Sequence, residues 1–198
     1  MFVNLNTTHY FVLILCALSV VTSHAAEFND NYIEYGHTSD TTTDLNKGFL
    51  IKGSHQLKNT VIVTGSYHVT DNDVSYERRF YELGFGKNVP MNDKSDITLK
   101  AATHYFSGEY KPPSLSTEKT TANFLSISVG ARGLLTKTTR ASVGYTSQIS
   151  CGTDMNDNFL TLQVVRDLTQ NFHLVAEAIE LTNNDKTSSL NIKLRHSF

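Results

Sequence analysis

Tryptophan is absent from this 198-residue chain, and cysteine and proline are scarce, with two and three residues. Two cysteines cannot staple a small disulfide scaffold. Eleven glycines beside three prolines exclude a collagen-like or low-complexity chain. An excess of one charge is missing as well: 17 Lys+Arg stand against 19 Asp+Glu, a formal net charge of −2. A nucleic-acid-binding domain would carry a basic excess, so no nucleic-acid partner is expected. No apolar run reaches the roughly 20 residues of a membrane-spanning helix, and the mean hydropathy is −0.25. A helical membrane bundle is therefore excluded. Hydrophobic residues make up 39% of the chain, too many for a disordered one. The length suits one domain, or two at most.

What is present begins with an export signal. The strongest apolar stretch is Phe11–Val21, FVLILCALSVV, too short to span a bilayer and right for a signal-peptide core. Ser23 and Ala25 follow as small residues at the −3 and −1 positions of a signal peptidase site. Residues 1–25 are read as a signal peptide, cleaved after Ala25 or alternatively after Ala26, and residues 26–198 as the mature domain. Met1–Tyr10 lacks Lys and Arg, so only the α-amino group supplies positive charge there. Leu15 precedes Cys16, which argues against a lipoprotein signal. Cys151 then remains as a lone thiol in an oxidising compartment, read as a loop cysteine.

The mature chain has a period of two. Leu190, Ile192, Leu194 and Phe198 fall on one parity, and Asn191, Lys193, Arg195 and Ser197 on the other, with His196 breaking the apolar side. A strand sends these two sets to opposite faces. Similar alternation runs through Leu125–Leu135, Ala141–Ile149, Val61–Val69, Ile97–Tyr105 and Tyr81–Phe85. Turn signals divide the chain into ten strands, about 31–38, 45–56, 61–69, 78–87, 96–107, 122–134, 139–150, 158–167, 171–181 and 188–198. Eight strands is the alternative, should the first segment or Phe172–Leu181 not join the wall. Connections near 57–60, 135–138 and 167–170 are short, and that at 88–95 is longer. The other set, 39–44, 70–77, 108–121, 151–157 and 182–187, is longer and more acidic. The longest contains Lys111-Pro112-Pro113, which cannot extend a ladder.

Alternation alone fits a soluble barrel, apolar inside, or a transmembrane barrel, apolar outside. Four features favour the second. The polar faces are rich in Gly, Ser and Thr, where a soluble surface would carry more Lys and Glu. Single charges sit mid-strand at Lys52, Glu82, Lys100, Arg132, Glu177 and Lys193, where they could pair across a narrow lumen. Aromatics gather near strand ends at Tyr32, Tyr35, Phe80, Tyr81, Tyr105, Phe106, Phe124, Phe159 and Phe172, as in an interfacial girdle. Connections alternate short and long, as periplasmic turns and external loops do. The fold class is thus all-β: an antiparallel transmembrane β-barrel of about ten strands.

An export signal, alternating strands and the terminal strand Leu190-Asn191-Ile192-Lys193-Leu194-Arg195-His196-Ser197-Phe198 together resemble a Gram-negative outer-membrane β-barrel protein, of the small porin-like or OmpA-like transmembrane superfamily. Asn31-Tyr32-Ile33-Glu34-Tyr35-Gly36 and Leu50-Ile51-Lys52-Gly53-Ser54 also look like early strands of such proteins. The resemblance implies residence in the outer membrane, contact with its lipid, and recognition by the barrel-assembly machinery through the last strand. Phe198 would carry that assembly signal. It says little about function, because relatives include adhesins, enzymes, channels and structural proteins.

Parity directs Glu34, Lys52, Glu82, Lys100, Arg132, Arg166, Glu177, Lys193 and Arg195 into the lumen, a mixed and cation-leaning set. Unpaired, these charges would be costly, so paired networks are expected. A filled interior gives a structural or interaction role in the envelope. Remaining gaps would give a narrow porin-like channel with a mild anion preference. A lipid or peptide hydrolase is a third reading, with His37-Thr38-Ser39 and Asp40 as its best residues. There, and at His196-Ser197, neighbouring side chains point to opposite faces and cannot activate one another directly. His68 and His104 lack the close spacing of a metal pair. Gly84-Phe85-Gly86 lies inside a strand without the helix a phosphate loop needs. No catalytic, metal or cofactor site is expected.

Overall fold

A computed structural model describes residues 28–40, 47–57, 60–72, 76–110, 117–151, 156–182 and 188–198. The segment read as a signal peptide, with Cys16, and the Lys111-Pro112-Pro113 stretch lie outside the described residues. Ten antiparallel strands close into a barrel: β1 Tyr32–Asp40, β2 Lys47–Gln56, β3 Val61–Asn72, β4 Tyr76–Asn92, β5 Ser95–Tyr110, β6 Glu118–Thr136, β7 Thr139–Ser150, β8 Asn156–Asp167, β9 Phe172–Leu181 and β10 Ser188–Ser197. Each strand pairs with its sequence neighbour, and β1 closes on β10 from Tyr32↔Ser197 to Asp40↔Ser189. Closure leaves no unpaired edge, which a wall within a bilayer requires. The first strand and Phe172–Leu181 both belong to the wall, so the count is ten and not eight.

Burial shows which face is inside. Among the described residues only five apolar side chains are buried, Leu50, Ile62, Ala102, Val165 and Val175, against sixteen polar or charged ones. The exterior carries Leu83, Phe85, Leu99, Leu125, Val129, Ile192 and Leu194, with Ile127 71% exposed. A soluble protein does not present so continuous an apolar surface to water. Turned toward lipid, the same surface costs nothing, and the polar groups find partners within. The period of two along each strand therefore reads apolar-out and polar-in.

Two connections differ from expectation. The 88–95 segment is not a long link: β4 runs on to Asn92, and a two-residue turn at Asp93–Lys94 leads into β5. The register shifts between Pro90 and Asn92, the kind of irregularity at which a ladder tolerates proline. At the other end only residues 73–75 separate β3 from β4, because both strands run into the segment read as a loop. Both described termini lie on the side of the turns at 57–60, 93–94, 137–138 and 168–171, which is the periplasmic side for a barrel of this type. Strands β4, β5 and β6 are 17, 16 and 19 residues long, where about 9–11 cross a bilayer. That side of the barrel extends beyond the membrane.

A glycine makes one interior contact possible. A Cβ at Gly36 would lie 2.4 Å from both Ile192 O and Lys193 Cγ. The bare backbone of β1 lets the Lys193 chain lie flat across the lumen.

Candidate functional site

The interior is a set of linked ion pairs. Glu34 on β1 and Lys193 on β10 have fully buried side chains, and Lys193 Nζ lies 3.0 Å from Glu34 Oε2 and 2.9 Å from Glu177 Oε1 of β9. These are ionic contacts outside hydrogen-bond geometry. Arg195 donates from Nε and Nη2 to Glu34 Oε1 at 2.8 and 2.5 Å, and its guanidinium lies 4.1 Å over the Tyr32 ring. Glu177 also accepts from Gln163 Nε2 at 2.9 Å and Asn191 Nδ2 at 3.0 Å. On the facing strands Lys100 Nζ donates to Glu82 Oε1 at 2.7 Å, and Thr64 Oγ1 donates to the same oxygen at 3.3 Å.

Toward the periplasmic mouth the chain before β1 folds into the lumen. Arg132 of β6 holds Asp30 with Nη1 at 2.5 Å and Nη2 at 2.8 Å, and Asp96 of β5 with Nε at 2.6 Å and Nη2 at 2.7 Å. Asn88 Nδ2 donates to Asp30 at 2.6 Å. The Phe28 ring lies 4.4 Å from the Arg132 guanidinium. Residues 28–30 thus form a strap across the mouth.

Of the nine lumen charges expected from parity, eight point inward: Glu34, Lys52, Glu82, Lys100, Arg132, Glu177, Lys193 and Arg195. Arg166 does not. It registers with Thr139 and donates to Thr139 Oγ1 at 2.7 Å on the exposed outer face. In β8 apolar residues occupy both parities, Leu160, Leu162 and Val164 outside but Val165 inside, so alternation misassigns its end. The cation-leaning balance also needs correction. Asp30, Asp96 and Asp167 are additional interior carboxylates, and Arg140 an additional cation. Asp30 lies outside any strand, where periodicity carries no signal; Asp96 opens β5 on the same parity as Lys100 and is overlooked in the expected set.

The aromatics divide. Tyr35, Phe49, Tyr67, Tyr81 and Tyr105 form an outward row with ring centroids 4.9–6.4 Å apart, and Phe172 is outward too. By strand parity Phe80, Phe106, Phe124 and Phe159 point into the outer half of the lumen instead, and Tyr32 into its inner half. Phe80 and Phe106 pack at 4.8 Å, with His68 stacked on Phe80 at 5.9 Å.

Two relays escaped sequence reading because their members come from different strands. His173 Nδ1 lies 2.7 Å from Asp167 Oδ1, and Nε2 lies 3.0 Å from Ser197 Oγ. His104 Nε2 lies 2.7 Å from Ser126 Oγ, with Nδ1 3.9 Å from Glu82 Oε2. Each lines up Ser, His and carboxylate, the order a nucleophilic hydrolase uses. Yet Ser197, His173 and Ser126 are each 4% exposed. None of them lines the lumen cavity, and Ser197 N is already bonded to Asn171 O. Buried in this way, the relays tie strands together: β8, β9 and β10 in one case, β4, β5 and β6 in the other. Elsewhere His37 and Ser39 share the outward parity of β1 with Thr38 inward between them, so this stretch lies on the outer wall and not in the lumen. Cys151 is exposed and unpaired. Among the described residues no group of three His, Cys, Asp or Glu could hold a metal ion.

A cavity of about 230 Å³ remains in the lumen. It begins at Phe28, Asn29 and Asp30 and passes between Lys52, Lys100 and Arg195 on one side and Ser128, Gly130, Ser142 and Gly144 on the other. Its lining reaches Thr146 and Thr161 but includes none of Phe80, Phe106, Phe124 or Phe159.

Solved structures share this architecture. The NanC porin superposes with a TM-score of 0.54 at 8% identity, over 84% of this chain and 100% of that one. For the KdgM porin the TM-score is 0.51 at 9% identity, over 84% and 99%. The translocator domain of the autotransporter NalP from Neisseria meningitidis gives 0.54 at 11% identity, over 98% of each chain. The fold is that of an outer-membrane β-barrel. At such low identity the likeness concerns the fold alone. No family model matches the sequence, and no curated protein is significantly similar to it. The closed wall, the apolar exterior and the ion-paired interior place the chain in the outer membrane on physical grounds as well.

Proposed function

We propose that this protein is a plugged outer-membrane barrel with a structural or interaction role in the cell envelope. The carrying observation is the interior itself, where the lumen cavity is lined by the charged side chains Lys52, Lys100, Arg132, Glu177 and Arg195 and by none of the inward phenylalanines. Ion pairs on one wall and aromatic packing above leave a ten-stranded barrel little room for a continuous water column, and wide channels belong to about 16 strands. The long β4–β6 strands supply surface beyond the bilayer on which a partner could dock. Phe198, 60% exposed on the outward face at the periplasmic rim, is where the assembly machinery would read the last strand.

A narrow porin-like passage is the second reading, favoured by the cavity already reaching Thr146 and Thr161 from the mouth. Recording from the refolded barrel in a planar bilayer separates the two. The plugged barrel is expected to be silent. Reproducible unitary current steps from the purified protein would establish the channel and discard the plug.

A further inference from the structure

The charges of the central lumen do not cancel. Four cations, Lys52, Lys100, Lys193 and Arg195, face three carboxylates, Glu34, Glu82 and Glu177. Glu34 is engaged by Lys193 and Arg195, Glu177 by Lys193, and Glu82 by Lys100. Lys52 makes no ion pair within 4.0 Å among the described residues. Its side chain is inside the barrel, away from lipid, and it lines the 230 Å³ cavity.

We propose that this cavity binds one small oxyanion, the carboxylate or phosphate group of a solute entering from the periplasmic side, with Lys52 as its counter-charge. Glu34, Glu82 and Glu177 surround Lys52, but none forms an ion pair with it within 4.0 Å, so its ammonium is left to meet an anion in the cavity. Tyr32, Ser54 and Thr98 line the same cavity and bring hydroxyl groups to it. Glu177 lines it too, but Oε1 is held by Asn191 and Lys193 and Oε2 by Gln163, which quenches its repulsion. Opposite Lys52, the paired glycines Gly130 and Gly144 keep the wall thin. The site needs the cavity and not a sealed outer end, so a conducting barrel would leave it intact.

Calorimetric titration of the refolded full-length barrel with inorganic phosphate, and separately with acetate, at constant ionic strength tests this. Saturable single-site binding of at least one probe is expected. Phosphate alone would name phosphate as the group, and acetate alone the carboxylate. Lys52→Met should weaken binding about tenfold or more, the range for loss of one charge-assisted contact. Lys52→Arg should stay within a few-fold of wild type, and Lys119→Met, on the exposed β6 extension, should change nothing. If Lys52→Met fails to fold, Ser128→Leu fills the cavity from the opposite wall with every charge kept, and should abolish binding. Absence of saturable binding in the wild type, or unchanged affinity in Lys52→Met or Ser128→Leu, would overturn the proposal.

Discussion

Replacing Glu34 by alanine is expected to destabilise the barrel by about 3–5 kcal/mol, the range for removing one partner of a buried ion pair. Glu34 is fully buried and serves two cations, Lys193 and Arg195. Without it, Arg195 keeps only Gln163 Oε1, at 3.2 Å, as a hydrogen-bond acceptor among the described side chains, and Lys193 leans on Glu177 alone. The Lys193 ammonium is fully buried and cannot reach water, and the Arg195 guanidinium meets only the lumen cavity. Lys193→Met should be similarly costly. The double variant Glu34→Met with Lys193→Met should cost less than the sum of the single changes, because each single change strands a charge that the other removes. Urea unfolding followed by the heat-modifiable shift in electrophoretic mobility measures all three. A loss under about 1 kcal/mol for Glu34→Ala would be the value of a solvent-exposed pair and would mean that the lumen is wet at this level.

The lipid face gives the second large effect. Val129 is 48% exposed on the outer wall of β6, and arginine there should cost about 2–4 kcal/mol if the position lies near the bilayer midplane. Its neighbour Ser128 faces the lumen cavity, where its hydroxyl contacts Thr146 Oγ1 at 2.8 Å. Ser128→Arg forfeits that contact, about 0.5–1.5 kcal/mol, and finds room in the cavity. The two changes are adjacent in sequence and equal in chemistry, so their difference isolates which face meets lipid. Equal losses in vesicle-refolded protein would refute the assigned parity.

The wall was legible in sequence because a strand with one apolar and one polar face writes its parity residue by residue. Leu190–Phe198 shows this most plainly, and Asn191, Lys193, Arg195 and Ser197 all face inward as their alternation requires. Legibility fails where that code is broken. Arg166 follows two consecutive valines, Val164 and Val165, which occupy opposite faces, so nothing local fixes its side. Phe80, Phe106, Phe124 and Phe159 are apolar yet fall on the lumen parity, and for Phe80 and Phe106 the packing partners sit on neighbouring strands. Asp30 belongs to a non-periodic strap, and its pairing with Arg132 spans a separation of 102 residues. The Asp167–His173–Ser197 relay depends on three strands meeting at one rim. Pairings of this kind are set by register, and register is a property of the closed sheet.

The most direct test of the barrel's orientation is spin-label accessibility along β6 in bilayers. Single cysteines are placed from Leu125 to Gly130 in a Cys151→Ser background. Labels at 125, 127 and 129 are expected to collide freely with dissolved oxygen in the lipid, and labels at 126, 128 and 130 to be shielded from it. A reversed alternation, or no period of two, would contradict a barrel with an apolar exterior and an ion-paired lumen.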